Sequence, residues 1–168
     1  MTVPDAHLPA LRPGEECLPG GPTLQPEARL CFIGRVRTPW APGDCPRNIG
    51  AARDSGEHAR IELAEGYAKA LTGLSVGQAV IVIYWMDRAR RDLLIQAPRH
   101  ADGPRGTFAL RSPNRPNPLA MSTVEIRAID LDAGILEIDA LDCFDGTPIV
   151  DLKPWLPTID APPGGAGS

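Results

Sequence analysis

Proline placement sets the first limit on what this chain can fold into. Nineteen of its 168 residues are proline, and each lacks a backbone donor and fixes φ. Six of them (Pro4, Pro9, Pro13, Pro19, Pro22 and Pro26) fall within residues 1–29, a stretch without hydrophobic periodicity. That stretch is expected as an extended or disordered arm. The closing run from Pro162 to Ser168 is expected as a flexible tail. The folded body is then residues 30–160, enough for one domain and too few for two with separate cores.

Within that body strand signals dominate. Ala79–Trp85 reads Ala-Val-Ile-Val-Ile-Tyr-Trp, β-branched and apolar on both faces, which predicts a strand buried on both sides. Asp92–Ala97 follows as its expected partner. Leu30–Thr38 and His58–Leu63 are further candidate strands. Ser122–Leu131 and Gly134–Leu141 flank a short turn ending in Gly134, the pattern of a β-hairpin. Leu136, Ile138 and Ala140 alternate with Glu137 and Asp139, as in a half-buried strand. Only Glu65–Leu71 reads as helical. The expectation is a mainly β fold, a barrel or sandwich with one or two short helices.

Composition narrows the function classes. The longest apolar run, Ala79–Met86, has eight residues, against the roughly 20 a membrane helix needs. The first twenty residues hold one arginine and no apolar block, so a soluble cytoplasmic protein without a membrane partner is expected. Cys17, Cys31, Cys45 and Cys143 form no C-x-x-C pair and only three histidines exist, which predicts reduced thiols and no metal site. No G-x-G-x-x-G, phosphate loop or G-x-S-x-G elbow is present, which leaves no signature of a nucleotide cofactor or serine nucleophile. The formal charge of −4 argues against non-specific nucleic-acid binding by the whole surface.

Charge is unevenly spread, however. From Asp87 to Arg115 seven arginines face three acids, a local +4 against −8 for the remainder. Such a segment is either an ordinary solvated loop or a face that steers a polyanion. It ends in Arg111-Ser112-Pro113-Asn114-Arg115-Pro116-Asn117-Pro118, which cannot lie in a central ladder. Stiff residues carrying guanidinium forks suit recognition of an anionic or planar group, and equally a structural turn. A third motif, Asp142-Cys143-Phe144-Asp145-Gly146-Thr147-Pro148, places two carboxylates around a tight turn. They can accept from ribose hydroxyls, act as a base, or simply cap the turn.

Taken in order, Thr107–Pro118, Met121-Ser122, Asp142–Pro148 and Asp151–Trp155 resemble the TrmO/TsaA family, as does the opening Ile33–Pro39. The resemblance covers about residues 31–160. It implies a compact β-barrel S-adenosylmethionine-dependent methyltransferase that works as a homodimer. Characterised members methylate N6 of threonylcarbamoyladenosine at tRNA position 37. By the same resemblance the cofactor would be held by Pro46, Arg47 and Asn48, by Asp87 and Arg88, by Arg111 and Arg115, and by the turn Asp142, Cys143, Phe144 and Asp145. Asn48 stands where the family has glutamine and Ala120 where it has glycine. The family's Phe-Ser-His-x-Trp run is replaced by Gly77–Ile81.

Methyl transfer from a sulfonium is a direct displacement that needs an acceptor aligned at roughly 3–3.5 Å. Asp87 and Asp145 are the candidate bases for the N6 proton. The arginine-rich face, Arg90 and Arg91 included, would hold anticodon-loop phosphates, and adenosine 37 lies in a single-stranded loop that a protein can reach. Two alternatives stay open: a small-molecule acceptor, or a non-catalytic S-adenosylmethionine-binding dimer.

Overall fold

The computed structural model describes residues 10–20, 29–99 and 101–163. The described residues form two compact units, one built from those within 30–85 and 121–163, the other from those within 10–29 and 86–120. The body expected as one domain over 30–160 therefore contributes to both.

The larger unit is a closed six-stranded barrel, as the mainly β expectation required. Its strands are β2 (Gly34–Arg37), β3 (Ala59–Leu63), β4 (Ala79–Trp85), β7 (Leu119–Asp130), β8 (Ile135–Ile138) and β9 (Pro148–Pro154). Around the barrel they run β2-β3-β8-β7-β4-β9. The register follows the alternation of side chains: Val36 pairs with Ile61, and Ile61 with Leu136. These three, with Val82, Ile126 and Ile149, are fully buried. The hairpin of β7 and β8 forms as read, with Gly134 at φ 66° in its turn. The bounds of β4 are those expected, and Val80, Ile81, Val82 and Tyr84 are buried.

Gly34 is needed for close approach. A β-carbon there would run into the Glu62 carbonyl oxygen and lie 2.9 Å from the Leu63 Cα, on the strand with which Gly34 pairs.

Short elements complete this unit. Helix α1 (Ile49–Asp54) starts at Asn48, whose side chain accepts from the Ala51 N–H at 2.8 Å. Its last-turn Arg53 donates to Asp139 at 2.6 Å and to the Thr123 carbonyl at 2.8 Å. The stretch expected as a helix at Glu65–Leu71 narrows to a 3-10 turn, Ala68–Leu71, and α2 (Pro157–Asp160) was not expected.

The smaller unit holds a three-stranded sheet of β1 (Glu16–Cys17), β5 (Leu93–Gln96) and β6 (Arg105–Gly106), in the order β1-β5-β6. Two expectations need correction. The segment after β4 does not pair with it: β5 bonds to β1 and β6, while β4 bonds to β9. And part of the stretch read as a proline-rich arm is structured. Arg12 and Glu15 close a turn through a 2.9 Å hydrogen bond and a 3.1 Å ion pair, and Glu16 and Cys17 then pair with Ile95 and Leu93. Pro13 and Pro19 lie just outside β1, where no ladder donor is required. The rest of that arm (1–9 and 21–28) and residues 164–168 of the tail lie outside the described residues.

Candidate functional site

In the barrel unit the Asp142–Asp145 turn follows β8 and is tied to the segment leaving β2. The Thr38 hydroxyl donates to the Cys143 carbonyl at 2.9 Å, the Trp40 indole N–H to the Leu141 carbonyl at 3.0 Å, and the Asp145 N–H to the Trp40 carbonyl at 3.0 Å. Asp145 is oriented from the same side. Its Oδ1 accepts from the Thr38 N–H at 3.2 Å, and its Oδ2 lies 3.6 Å from the Arg37 guanidinium. Arg37 in turn donates to Glu62 at 2.7 Å and holds that carboxyl below its ordinary range. Arg37 and Thr38, with Pro39, His58, Arg60 and Glu137, line a shallow recess of about 280 Å³.

Asp142 is reached from inside the barrel wall. The Tyr84 hydroxyl, on β4, donates to its Oδ1 at 3.4 Å and lies 3.1 Å from the Ser122 hydroxyl on β7. A phenol has one proton, so Ser122 donates to Tyr84 and Tyr84 to Asp142. Burial, and then the Asp142 charge, raise the Tyr84 pKa far above its normal value. Tyr84 is thus a hydrogen-bond donor and not a proton source. Sequence reading missed this pair. The available signal was a lone hydroxyl in an otherwise apolar strand, since a buried tyrosine needs a partner for its O–H.

Two thiols share the neighbourhood. Burial pushes Cys45 up to about 11 and Cys143 up to about 12, with the Asp142 charge adding to both. Both are protonated near neutrality, and a thiol is a far weaker nucleophile than a thiolate. Cys17, Cys31, Cys45 and Cys143 are free cysteines in this structure. Among the described residues no three His, Cys, Asp or Glu side chains gather as metal ligands do, and no helix is long and apolar enough to cross a membrane.

The barrel unit therefore brings together Asp142, Cys143, Phe144 and Asp145, with Cys45 beside them. Pro46 is half-buried and Arg47 exposed in the loop that leads to Asn48, which is spent as the cap of α1.

The other expected residues stand on the smaller unit. Asp87 and Arg88 are exposed in the turn after β4, and Arg111 is exposed at the start of the arginine-proline loop. Arg115 turns back on that loop, donating to the Leu110 and Ser112 carbonyls at 3.2 and 3.4 Å. Gln96 donates to the Asn114 carbonyl at 2.6 Å, and Asn114 accepts from the Arg90 N–H at 3.1 Å. Arg91 donates to the Pro116 carbonyl at 2.7 Å. Prolines leave carbonyls without ladder donors, and here side chains supply them.

This alters the reading of the arginine cluster. Arg90 meets Asp92 through two hydrogen bonds, at 3.0 and 2.7 Å, and its side chain is only 12% exposed. Asp92 also accepts from the Cys17 thiol at 3.1 Å. Of the two arginines expected on a phosphate-binding face, Arg90 pairs with the side chains of Asp92 and Cys17, and Arg91 donates to the Pro116 backbone.

Comparison with known proteins places this geometry. Residues 35–161 match the family model for the tRNA-methyltransferase O N-terminal domain. A probable S-adenosyl-L-methionine-binding protein of Archaeoglobus fulgidus is 38% identical over 137 residues, covering 79% of this chain and 35% of that protein. A protein of the same description from Methanothermobacter thermautotrophicus is 36% identical, over 80% of this chain and 95% of its own length. The tRNA (adenine(37)-N6)-methyltransferase of Escherichia coli is 31% identical, over 81% of this chain and 61% of its own. The crystal structure of TrmO from Pseudomonas aeruginosa superposes with a TM-score of 0.62 at 28% identity, covering 80% of this chain and 59% of that one. This chain thus spans about a third of the first relative and under two thirds of the two methyltransferases. The barrel, its ordered motifs and the 127 matched residues together make the chain a member of the TrmO/TsaA family.

Proposed function

We propose that this protein is an S-adenosylmethionine-dependent methyltransferase whose barrel unit holds the donor at the Asp142–Asp145 turn. The observation that carries the proposal is that turn itself, with two oriented carboxylates, backbone polar groups and an aromatic side chain gathered beside thiols kept in the protonated state. The donor set suits such a ligand. Carboxylates accept from ribose hydroxyls, Phe144 offers a surface for a flat base, and protonated Cys45 and Cys143 are poor competitors for an electrophilic methyl.

S-adenosylmethionine, when bound, supplies a methyl group on a positively charged sulfur, which a nucleophile takes by direct displacement. The chain's own residues then have definite tasks. Asp142, fixed by Tyr84, accepts from the donor's hydroxyls. Asp145, oriented by Thr38 and Arg37, is one candidate base for the proton of an attacking amine. Asp87, the other candidate base, is exposed on the smaller unit. The assignment of Pro46, Arg47, Asn48, Arg88, Arg111 and Arg115 to the donor rests on motif resemblance. A positioned base contributes roughly 10²–10⁴-fold, so either candidate is testable by its asparagine variant.

For the acceptor we propose N6 of threonylcarbamoyladenosine at tRNA position 37, supported by the likeness to the Escherichia coli tRNA methyltransferase and by the +4 segment from Asp87 to Arg115. A homodimer is part of the same proposal. A small-molecule acceptor is the second reading, favoured by the net charge of −4 and by the internal use of Arg90 and Arg91. Incubation with methyl-labelled S-adenosylmethionine and total tRNA, followed by nucleoside analysis, decides between them. Label in the N6-methylated nucleoside supports the first. Label confined to small molecules establishes the second, and no transfer despite donor binding leaves a binding protein.

A further inference from the structure

Phe108 is 82% exposed, more than any other large hydrophobic side chain among the described residues. Isolated surface apolar groups are ordinary, but this one sits at the centre of a 3-10 turn (Thr107–Ala109) that is pinned on both sides. Before it, Thr107 is 4% exposed; its hydroxyl donates to the Leu93 carbonyl at 2.7 Å and accepts from Gln96 at 3.0 Å. Gln96 is itself 3% exposed and pairs through the ladder with Arg105. After it, the Leu110 N–H bonds to the Thr107 carbonyl at 3.2 Å, and the Leu110 carbonyl accepts from Arg115 at 3.2 Å. The backbone of the turn cannot carry residue 108 inward without breaking these hydrogen bonds. The ring is therefore presented to solvent from a held stretch of backbone, which lowers the ordering cost of binding to it.

The surroundings select the partner. Exposed Arg105 precedes the turn and exposed Arg111 follows it, within the one segment of net +4 in an acidic chain. We propose that Phe108 is a stacking platform for an unpaired base of an RNA loop, with Arg105 meeting the adjoining phosphate. Every base has a π-face, so a lone aromatic on a basic segment serves a single strand, whereas bases within a duplex are already stacked. This deepens the tRNA reading above and rests on it, and it assigns to Phe108 a contact with an unpaired base of that RNA.

The test is fluorescence anisotropy of the full chain with a labelled RNA hairpin carrying adenosine in its loop, against a fully paired duplex of the same strand length. Phe108→Ala is expected to weaken hairpin binding at least about 5-fold, the lower end of measured base–aromatic stacking. It should leave duplex binding and the salt dependence unchanged, because no charge is removed. Phe108→Trp restores affinity, and Arg105→Ala lowers the salt slope by about one. Equal hairpin affinity for Phe108→Ala and the parent overturns the platform while leaving the tRNA reading intact. A parent that binds no hairpin overturns both. A change in mass by analytical ultracentrifugation on Phe108→Ala identifies the partner as a second copy of this chain and overturns the proposal. Thermal melting of each variant shows that it is folded, as expected for a ring that packs against little.

Discussion

The Tyr84 hydroxyl lies 3.1 Å from Ser122 and 3.4 Å from Asp142, so one buried phenol links two barrel strands to the turn proposed to bind the methyl donor. Because Tyr84 is 4% exposed, its O–H has no water to fall back on, and the link holds the Asp142 carboxylate in one orientation.

Tyr84→Phe keeps the ring and removes the link. Donor affinity by calorimetry is expected to fall about 2- to 10-fold, the range for one hydrogen bond. Ser122→Ala should give a smaller loss, since Tyr84 still reaches Asp142. Equal losses in the two variants would argue for a packing role alone.

The Arg90–Asp92 pair makes a prediction about acid. Asp92 is held down to about 2, first by its hydrogen bonds from Arg90 and then by that from the Cys17 thiol. A carboxyl depressed in the folded state adds stability that is complete above its unfolded value near 4 and is lost as pH falls toward 2. The contribution is roughly 2 kcal/mol for a side chain 22% exposed. Asp92→Asn should flatten the acid limb of the thermal unfolding profile between about pH 4 and 2. An unchanged limb would show that the pair contributes no linkage.

Much of the barrel is legible in sequence, because Ala79–Trp85 is a run of β-branched residues and Gly134 marks a tight turn. What escapes has physical causes. Strand β9 carries prolines at both ends and Asp151 and Lys153 inside, so it is not among the expected strands, yet terminal prolines need no ladder donor. Helix α1 buries only Ala52 and has too few turns to show a period. The β4–β5 pairing fails because nearness in sequence favours a hairpin, while β5 finds its partners in β1 and β6. At the site, the Asp142–Asp145 motif is visible by itself, but Tyr84 acquires meaning only once the barrel's register is known. Arg90 and Asp92 meet across a bend at Arg91, just before β5, which the opposite charges alone do not announce.

Gly34→Ala should disrupt the β2–β3 edge, because its β-carbon meets backbone at Glu62 and Leu63 and neither can swing aside. A loss of about 1–3 kcal/mol is expected from overpacking of this kind, read from urea denaturation. Gly43→Ala is no control, since that glycine sits at φ 107°; exposed Ala41→Ser serves instead and should lie within about 0.5 kcal/mol of the parent.

Thiol reactivity separates the cysteines. Exposed Cys31 should react with a disulfide reagent at neutral pH well before Cys45, and Cys143 only on unfolding, as its burial and its rise to about 12 require. Fast labelling of Cys143 in the folded protein would contradict the packing of the turn.

The account depends most on donor binding at the Asp142–Asp145 turn, and isothermal titration of the full chain with S-adenosylmethionine measures it directly. Saturable binding by the parent, weakened at least about tenfold in Asp142→Ala as expected for loss of hydrogen bonds to a charged group, is the predicted result. No binding by the parent, or the same affinity in the folded variant, would contradict it.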